Sequence, residues 1–342
     1  MVSADSHEVM GNHTSHLGPV GTGIGSLPGE DIDEAVRTVV GELPDFVHLP
    51  ELPNRGAPAG MVGRATAMLS DLATDLQPAG WRLTDAPGVD QRRAVSLLRQ
   101  DLDTLEEHTQ TYSGRLKIQV AGPWTLAATM ERPRGDRVLA DHGARRDLAQ
   151  SLAEGVRDQV AELRSRVAGA EPIVQLDEPA LPAVLTGAVP TASGFSRHRT
   201  VHPPEAVEAL RWVTEAVRDA GATPVAHVCA SDVPVGLLGE SGFAAIAYDQ
   251  ALAAPGDAWA AALDKGIDLW SGVVPSTDPT PTPTADALAI RIRRFFDDLG
   301  RDAEELAGRI IVTPSCGLAG ASPSWAREAM RLVCKVAADL AP

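Results

Sequence analysis

Residues 224–229 read Pro-Val-Ala-His227-Val-Cys229, a short apolar run that stops on a histidine and a cysteine two positions apart. A continuous apolar run of this length is what a strand covered on both faces of a parallel sheet requires. Similar runs lie downstream at 244–249, 267–274 and 309–313, and upstream at 173–177, 117–121, 45–49 and 20–25. Between them lie segments with helical periodicity, at 92–108, 144–167, 205–220, 284–299 and 325–340.

Eight strands alternating with helices predict an α/β fold, a (β/α)8 TIM barrel in a single domain. A doubly wound open sheet is the competing topology. Gly21-Thr-Gly23-Ile-Gly25 falls largely within the first strand instead of following it, so it is a weak dinucleotide fingerprint. Residues 181–201 mix small, polar and proline residues without a clear period and read as a long loop after a strand. The stiff run at 275–283 (PSTDPTPTP) reads as a loop between a strand and its helix.

The composition narrows the function. Across 342 residues, 46 acidic side chains face 30 basic ones, a net charge of −16, which argues against nucleic acid and anionic membranes as partners. No apolar run approaches the ~18 residues of a membrane span. Residues 1–16 are polar and lack the apolar region of a signal peptide, so the cytoplasm is expected. Residues 1–18 are read as a flexible N-terminal tail and 19–342 as the barrel. Three cysteines, an odd and sparse set, do not suit a secreted disulfide scaffold.

In a barrel, the loops after the C-terminal strand ends build the site. Alternation lets His227 and Cys229 point the same way at one such end. The next strand ends in Asp249, and the last runs into Cys316. One imidazole, two thiols and a carboxylate suit tetrahedral zinc, although three satisfied core residues remain the plain alternative. Cys334 lies on a helix face with Met330, Val333 and Ala337 and is read as core. A second group at the same proposed face comprises Ile24-Gly25-Ser26-Leu27-Pro28, the loop His48-Leu-Pro-Glu51, and Gln175-Leu-Asp177-Glu178-Pro179-Ala180. Two carboxylates and a hydroxyl suit the ammonium of an amino acid. The alternative is that Asp177 or Glu178 caps the following helix.

Together these motifs, with Gly122-Pro123 and Pro314-Ser315-Cys316-Gly317-Leu318, resemble the cobalamin-independent methionine synthases, specifically their C-terminal catalytic barrel. They fall in family order over roughly residues 20–320. The resemblance implies a zinc-dependent methyltransferase that converts homocysteine to methionine. It implies His227, Cys229 and Cys316 as zinc ligands, with Asp249 where the family has a glutamate. It implies Ile24, Ser26, Glu51 and Asp177 as residues that bind the homocysteine substrate. Trp270, in Trp270-Ser271-Gly272, stands where the family carries its proton-donor histidine. Thr129 stands where the family has a pteridine-stacking tryptophan, with Trp124 nearby. The N-terminal barrel of the long synthases has no counterpart in these 342 residues. The methyl donor is therefore expected to be 5-methyltetrahydrofolate by inheritance or, alternatively, a methylated corrinoid protein. Two further readings are a zinc alkyltransferase for another thiol and a zinc- or thiol-binding protein without catalysis.

Overall fold

The computed structural model describes residues 19–341; the N-terminal tail expected over 1–18 lies outside the described residues. From the N-terminus the chain alternates strand and helix. It begins with β1 (Val20–Gly21), α1 (Ile32–Glu42), β2 (Phe46–His48) and α2 (Met61–Met68). A hairpin of β3 (Ala73–Gln77) and β4 (Gly80–Thr84) leads into α3 (Val89–Thr109), β5 (Arg115–Ala121), α4 (Pro123–Thr129) and α5 (His142–Arg166). Next come β6 (Glu171–Asp177), α6 (Leu181–Thr186), α7 (Pro203–Asp219), β7 (Thr223–Val228), α8 (Val235–Glu240), β8 (Ala245–Asp249) and α9 (Asp257–Asp264). The chain closes with β9 (Asp268–Val274), α10 (Ala285–Asp298), β10 (Ile310–Pro314) and α11 (Pro323–Leu340).

All eight expected strands join one sheet in the order β1-β10-β9-β8-β7-β6-β5-β2. Every pairing in it is parallel. Its two edges meet where Ser26 and Glu51 form a parallel bridge: Leu27 N donates to Glu51 O at 2.8 Å and Glu51 N to Gly25 O at 3.1 Å. Closure into a barrel thus occurs at the C-terminal mouth, through residues of the proposed site. The open-sheet alternative is excluded by this closure.

Strand alternation divides the core in two. Phe46, Ile173, Val225, Ala245, Ala247, Trp270 and Ile311 fill the barrel interior. Residues of opposite phase, such as Val47, Leu116, Val174, Ala226, Ile246 and Val312, pack outward against the helices. Both faces are therefore dry, which is why the strands read as unbroken apolar runs. Helix and strand approach closely at Gly21, where a Cβ would lie 2.7 Å from the Val333 carbonyl carbon of α11. Side-chain caps start four of the helices: Asp31 for α1, Asp141 for α5, Thr284 for α10 and Ser322 for α11.

Three local differences from the sequence reading have physical causes. The strand expected over 20–25 stops at Gly21 because the ladder is replaced by side chains: Ile24 O accepts from Lys117 Nζ at 2.7 Å and from Gln175 Nε2 at 3.0 Å. The stretch 181–201 opens with the short helix α6, ended by Gly187 in the left-handed region (φ 66°), before becoming irregular. The hairpin of β3 and β4 had no sequence expectation; it docks on the segment after α4, with Leu83 N on Glu131 O and Glu131 N on Trp81 O, both at 2.9 Å.

Candidate functional site

His227 is adjacent in register to Asp177, on the neighbouring strand. The two side chains meet, Nδ1 to Oδ1, at 2.8 Å. His227 Nε2 is buried and has no hydrogen-bond partner. Two thiols lie beside the ring: one ligand atom each from His227, Cys229 and Cys316 all lie within 4.8 Å of one another. The two Sγ atoms are 3.0 Å apart. An unpartnered imidazole nitrogen beside two thiols, with its other nitrogen on a carboxylate, is a donor set that could hold a metal ion.

The thiols are unequal. The hydrogen bond they share brings Cys316 down to about 6, aided by the nearby His227. The same contact, together with burial, pushes Cys229 upward. The pair therefore releases one proton readily, as metal ligation by thiolates requires.

Asp249 is not brought into this group of three. It ends β8 in the same phase as the interior residues Ala245 and Ala247, and its Oδ1 accepts from Ala251 N at 2.9 Å, closing its own turn.

Ile24, Ser26, Glu51 and Asp177 do converge at the mouth. Ser26 is tied to the loop of Cys316: Leu318 N donates to Ser26 O at 2.8 Å, and a Cβ on Gly317 would fall 2.0 Å from Ser26 Oγ. Glu51, 7% exposed, accepts from Arg64 Nε at 3.1 Å. Arg64 continues to Asp101 at 2.5 Å, and Asp101 takes a bidentate contact from Arg55 at 2.7 and 2.8 Å. Burial raises the Glu51 carboxyl above its ordinary value, opposed by Arg64 and reinforced by the negative charge of Asp177. Glu51 and Asp177 are thus two buried carboxylates within charge range of each other and of Lys117, a setting that suits cationic groups.

Neither acid of the DEPA stretch caps the helix that follows it. Glu178, fully buried, accepts from Trp124 N at 2.9 Å and from Thr125 N and Oγ1 at 2.8 Å each, capping α4 and not the α6 that follows it. Burial pushes its carboxyl up to about 7 against those hydrogen bonds.

Trp270 takes no place among the reactive groups. Its ring is 4% exposed and meets Phe46 edge-on at 5.4 Å in the cluster that fills the barrel. The residue expected at the family's proton-donor position thus packs inside the barrel, because alternation along β9 sends its indole inward. Trp124 is likewise core, with Nε1 on Ala206 O at 3.1 Å, and Thr129 Oγ1 is spent on Thr125 O at 2.7 Å. Cys334 packs beside the core on α11, as its helical spacing predicts.

Two buried polar residues escaped the sequence reading. Lys117, wholly buried, donates to Ile24 O at 2.7 Å, to Gln175 Oε1 at 2.8 Å and to Gln119 Oε1 at 3.3 Å. His48 is 1% exposed with both ring nitrogens unpartnered, and burial holds its pKa well below the ordinary value. A lysine inside a run that reads as a strand was the available signal for the first.

Comparison with known proteins places this geometry. No curated protein matches the chain significantly in sequence. A B12-independent methionine synthase from Shewanella sp. W3-18-1, solved in complex with selenomethionine, superposes with a TM-score of 0.60. That alignment covers 94% of this chain and 98% of the other at 14% identity, a level that shows the shared barrel. The GH5_18 protein from Streptomyces cattleya, in complex with GlcNAc, aligns over 94% of this chain and 80% of its own at 14% identity and a TM-score of 0.48. The family model described as cobalamin-independent synthase, catalytic domain, matches residues 19–339. The chain belongs to that family of catalytic domains.

Proposed function

We propose that this protein transfers a methyl group to the thiol of homocysteine, giving methionine, at a Zn²⁺ site formed by His227, Cys229, Cys316 and Asp249. The observation that carries the reading is the unpartnered, buried Nε2 of His227 beside two thiols, one of them already acidified. Asp249 is the proposed fourth donor because its phase on the neighbouring strand faces the interior. Bound zinc would hold a substrate thiol, whose ordinary pKa is ~8.5, as thiolate at neutral pH.

The protein's own groups do the rest. Asp177 holds His227 by Nδ1, leaving Nε2 for the metal. Glu51 and Asp177 receive the substrate ammonium, and Ser26 with the backbone at Ile24 meets its carboxylate. The sulfur–methyl bond forms as the donor–methyl bond breaks, and the thiol proton leaves before attack.

The donor is 5-methyltetrahydrofolate or a methylated corrinoid protein. One observation favours the second. A folate N5 must be protonated to leave, yet Trp270 at the family's donor position is packed in the barrel core, and Trp124 is covered by α7. The barrel is proposed to act as one domain over 19–342, preceded by a tail.

Bound-metal stoichiometry, with and without homocysteine, tests the reading. About one zinc per chain and a change in its ligand shell on adding homocysteine are expected. No zinc, or no change, overturns it; a change with a different thiol only would move the acceptor. Turnover with methyltetrahydrofolate alone would remove the need for a corrinoid partner.

A further inference from the structure

Inside the barrel, four side chains ending on the proposed metal ligand His227 form one directed chain of hydrogen bonds. Lys117 Nζ donates to Gln175 Oε1 at 2.8 Å; Gln175 Nε2 donates to Asp177 Oδ1 at 2.7 Å; and Asp177 Oδ1 meets His227 Nδ1 at 2.8 Å. Lys117 also donates to Ile24 O and Gln119 Oε1, and Gln119 Nε2 in turn donates to Leu49 O at 2.6 Å. Every one of these residues is buried.

The direction of the chain follows from the chemistry at its start. An ammonium has donors and no acceptor. Three oxygens surround Lys117 Nζ, one for each of its N–H bonds, so the side-chain oxygen of Gln175 must face it. The amide of Gln175 is then oriented: its NH2 points away, toward Ile24 O and Asp177. Asp177 meets a donor on that side and serves as acceptor on Oδ1. The carboxylate offers only acceptors, so His227 supplies the proton on Nδ1, which leaves Nε2 bare with the two thiols close to the ring.

We propose that Lys117 is a positioning residue: acting through Gln175, it anchors the Asp177 carboxylate that fixes the tautomer of His227, so that the metal-binding nitrogen is ready before any metal arrives. The inference rests on the zinc reading above for its purpose, though not for its test. It also explains a lysine with no exposure in a barrel core, a placement that is otherwise unfavourable. Burial pulls its pKa down to about 7, and Asp177 and Glu51 counter that pull. The other charged or titratable group bearing on it is His48, held neutral in its buried setting.

The experiment is nitrogen NMR of labelled imidazole in the metal-free protein, followed through and above the titration range of histidine so that both charge states of Lys117 are sampled, alongside a zinc titration against a chromophoric chelator. Wild type is expected to hold His227 in the Nδ1–H form. Lys117→Met removes the donor that orients Gln175, and Gln175→Glu keeps an acceptor for Lys117 while presenting another acceptor to Asp177. Both are expected to shift His227 toward the Nε2–H form and to weaken zinc by about tenfold, as loss of outer-shell partners does. If Lys117→Met does not fold, Gln175→Glu decides alone. A wild type that binds no zinc defeats the proposed function but leaves the tautomer measurement standing. Variants that keep the wild-type tautomer and a zinc Kd within about twofold overturn the role of Lys117.

Discussion

Asp177→Asn separates charge from geometry at the support of the proposed metal site. Asp177 is 7% exposed, and its Oδ1 accepts from His227 Nδ1 at 2.8 Å and from Gln175 Nε2 at 2.7 Å. Asparagine can keep both contacts through its own Oδ1, so the variant loses the charge and little else. A hydrogen bond to a charged group is worth ~1.5–3 kcal/mol and a neutral one ~0.5–1.5. Over two bonds the difference is about 2 kcal/mol, roughly thirtyfold in zinc affinity and inside the ~10–100-fold range of outer-shell losses. Asp177→Ala leaves two buried donors without partners at ~1–3 kcal/mol each, so its loss is expected to be larger. Competition for zinc with a chromophoric chelator measures both variants, and homocysteine affinity should fall in parallel because one ammonium partner is gone. Zinc binding by Asp177→Asn and Asp177→Ala within twofold of wild type would refute the reasoning.

Trp270→Ala should cost ~3–5 kcal/mol of stability through the cavity it leaves in the barrel, read by denaturant unfolding. Trp270→Phe should keep the wild-type pH profile of any methyl transfer; a lost acid limb would restore the residue to a catalytic role. Glu178 should make folding pH-dependent: its carboxyl is raised to about 7 in the fold, so the native state binds the proton more tightly than the unfolded chain. Stability should then be greater near its unfolded pKa of ~4.5 and decline as pH rises through 7, with Glu178→Gln flattening that slope in unfolding curves. Homocysteine should protect Cys229 and Cys316, but not Cys334, from alkylation mapped by mass spectrometry. Cys334→Ala should leave zinc stoichiometry unchanged, since Cys334 packs beside the core on α11 with its Sγ on Glu42 O, outside the His227–Cys229–Cys316 group.

The barrel was legible in the chain because each strand is dry on both faces, and sequence registers burial as an apolar run. Reactive residues at those run ends, His227 and Cys229 above all, followed from the two-residue period of a strand. The β3–β4 hairpin was not legible, since Ala73–Gln77 and Gly80–Thr84 are short, mixed in polarity and stabilised by the edge of another loop at Glu131. Nor was the target of Glu178, which caps a helix 53 residues away.

The same division runs through the site. Local rules carry the strand phase, so residue order alone places His227, Cys229, Asp177 and Glu51 at one end of the barrel. They do not say what a side chain meets across the interior. Asp249 turned to its own backbone, Trp270 filled the pore, and Lys117 found three oxygens from β1, β5 and β6 surroundings, all because barrel closure brings together strands far apart in the chain. Contacts of that range have no periodicity to betray them, and they exist only once the ring of strands is shut at Ser26 and Glu51.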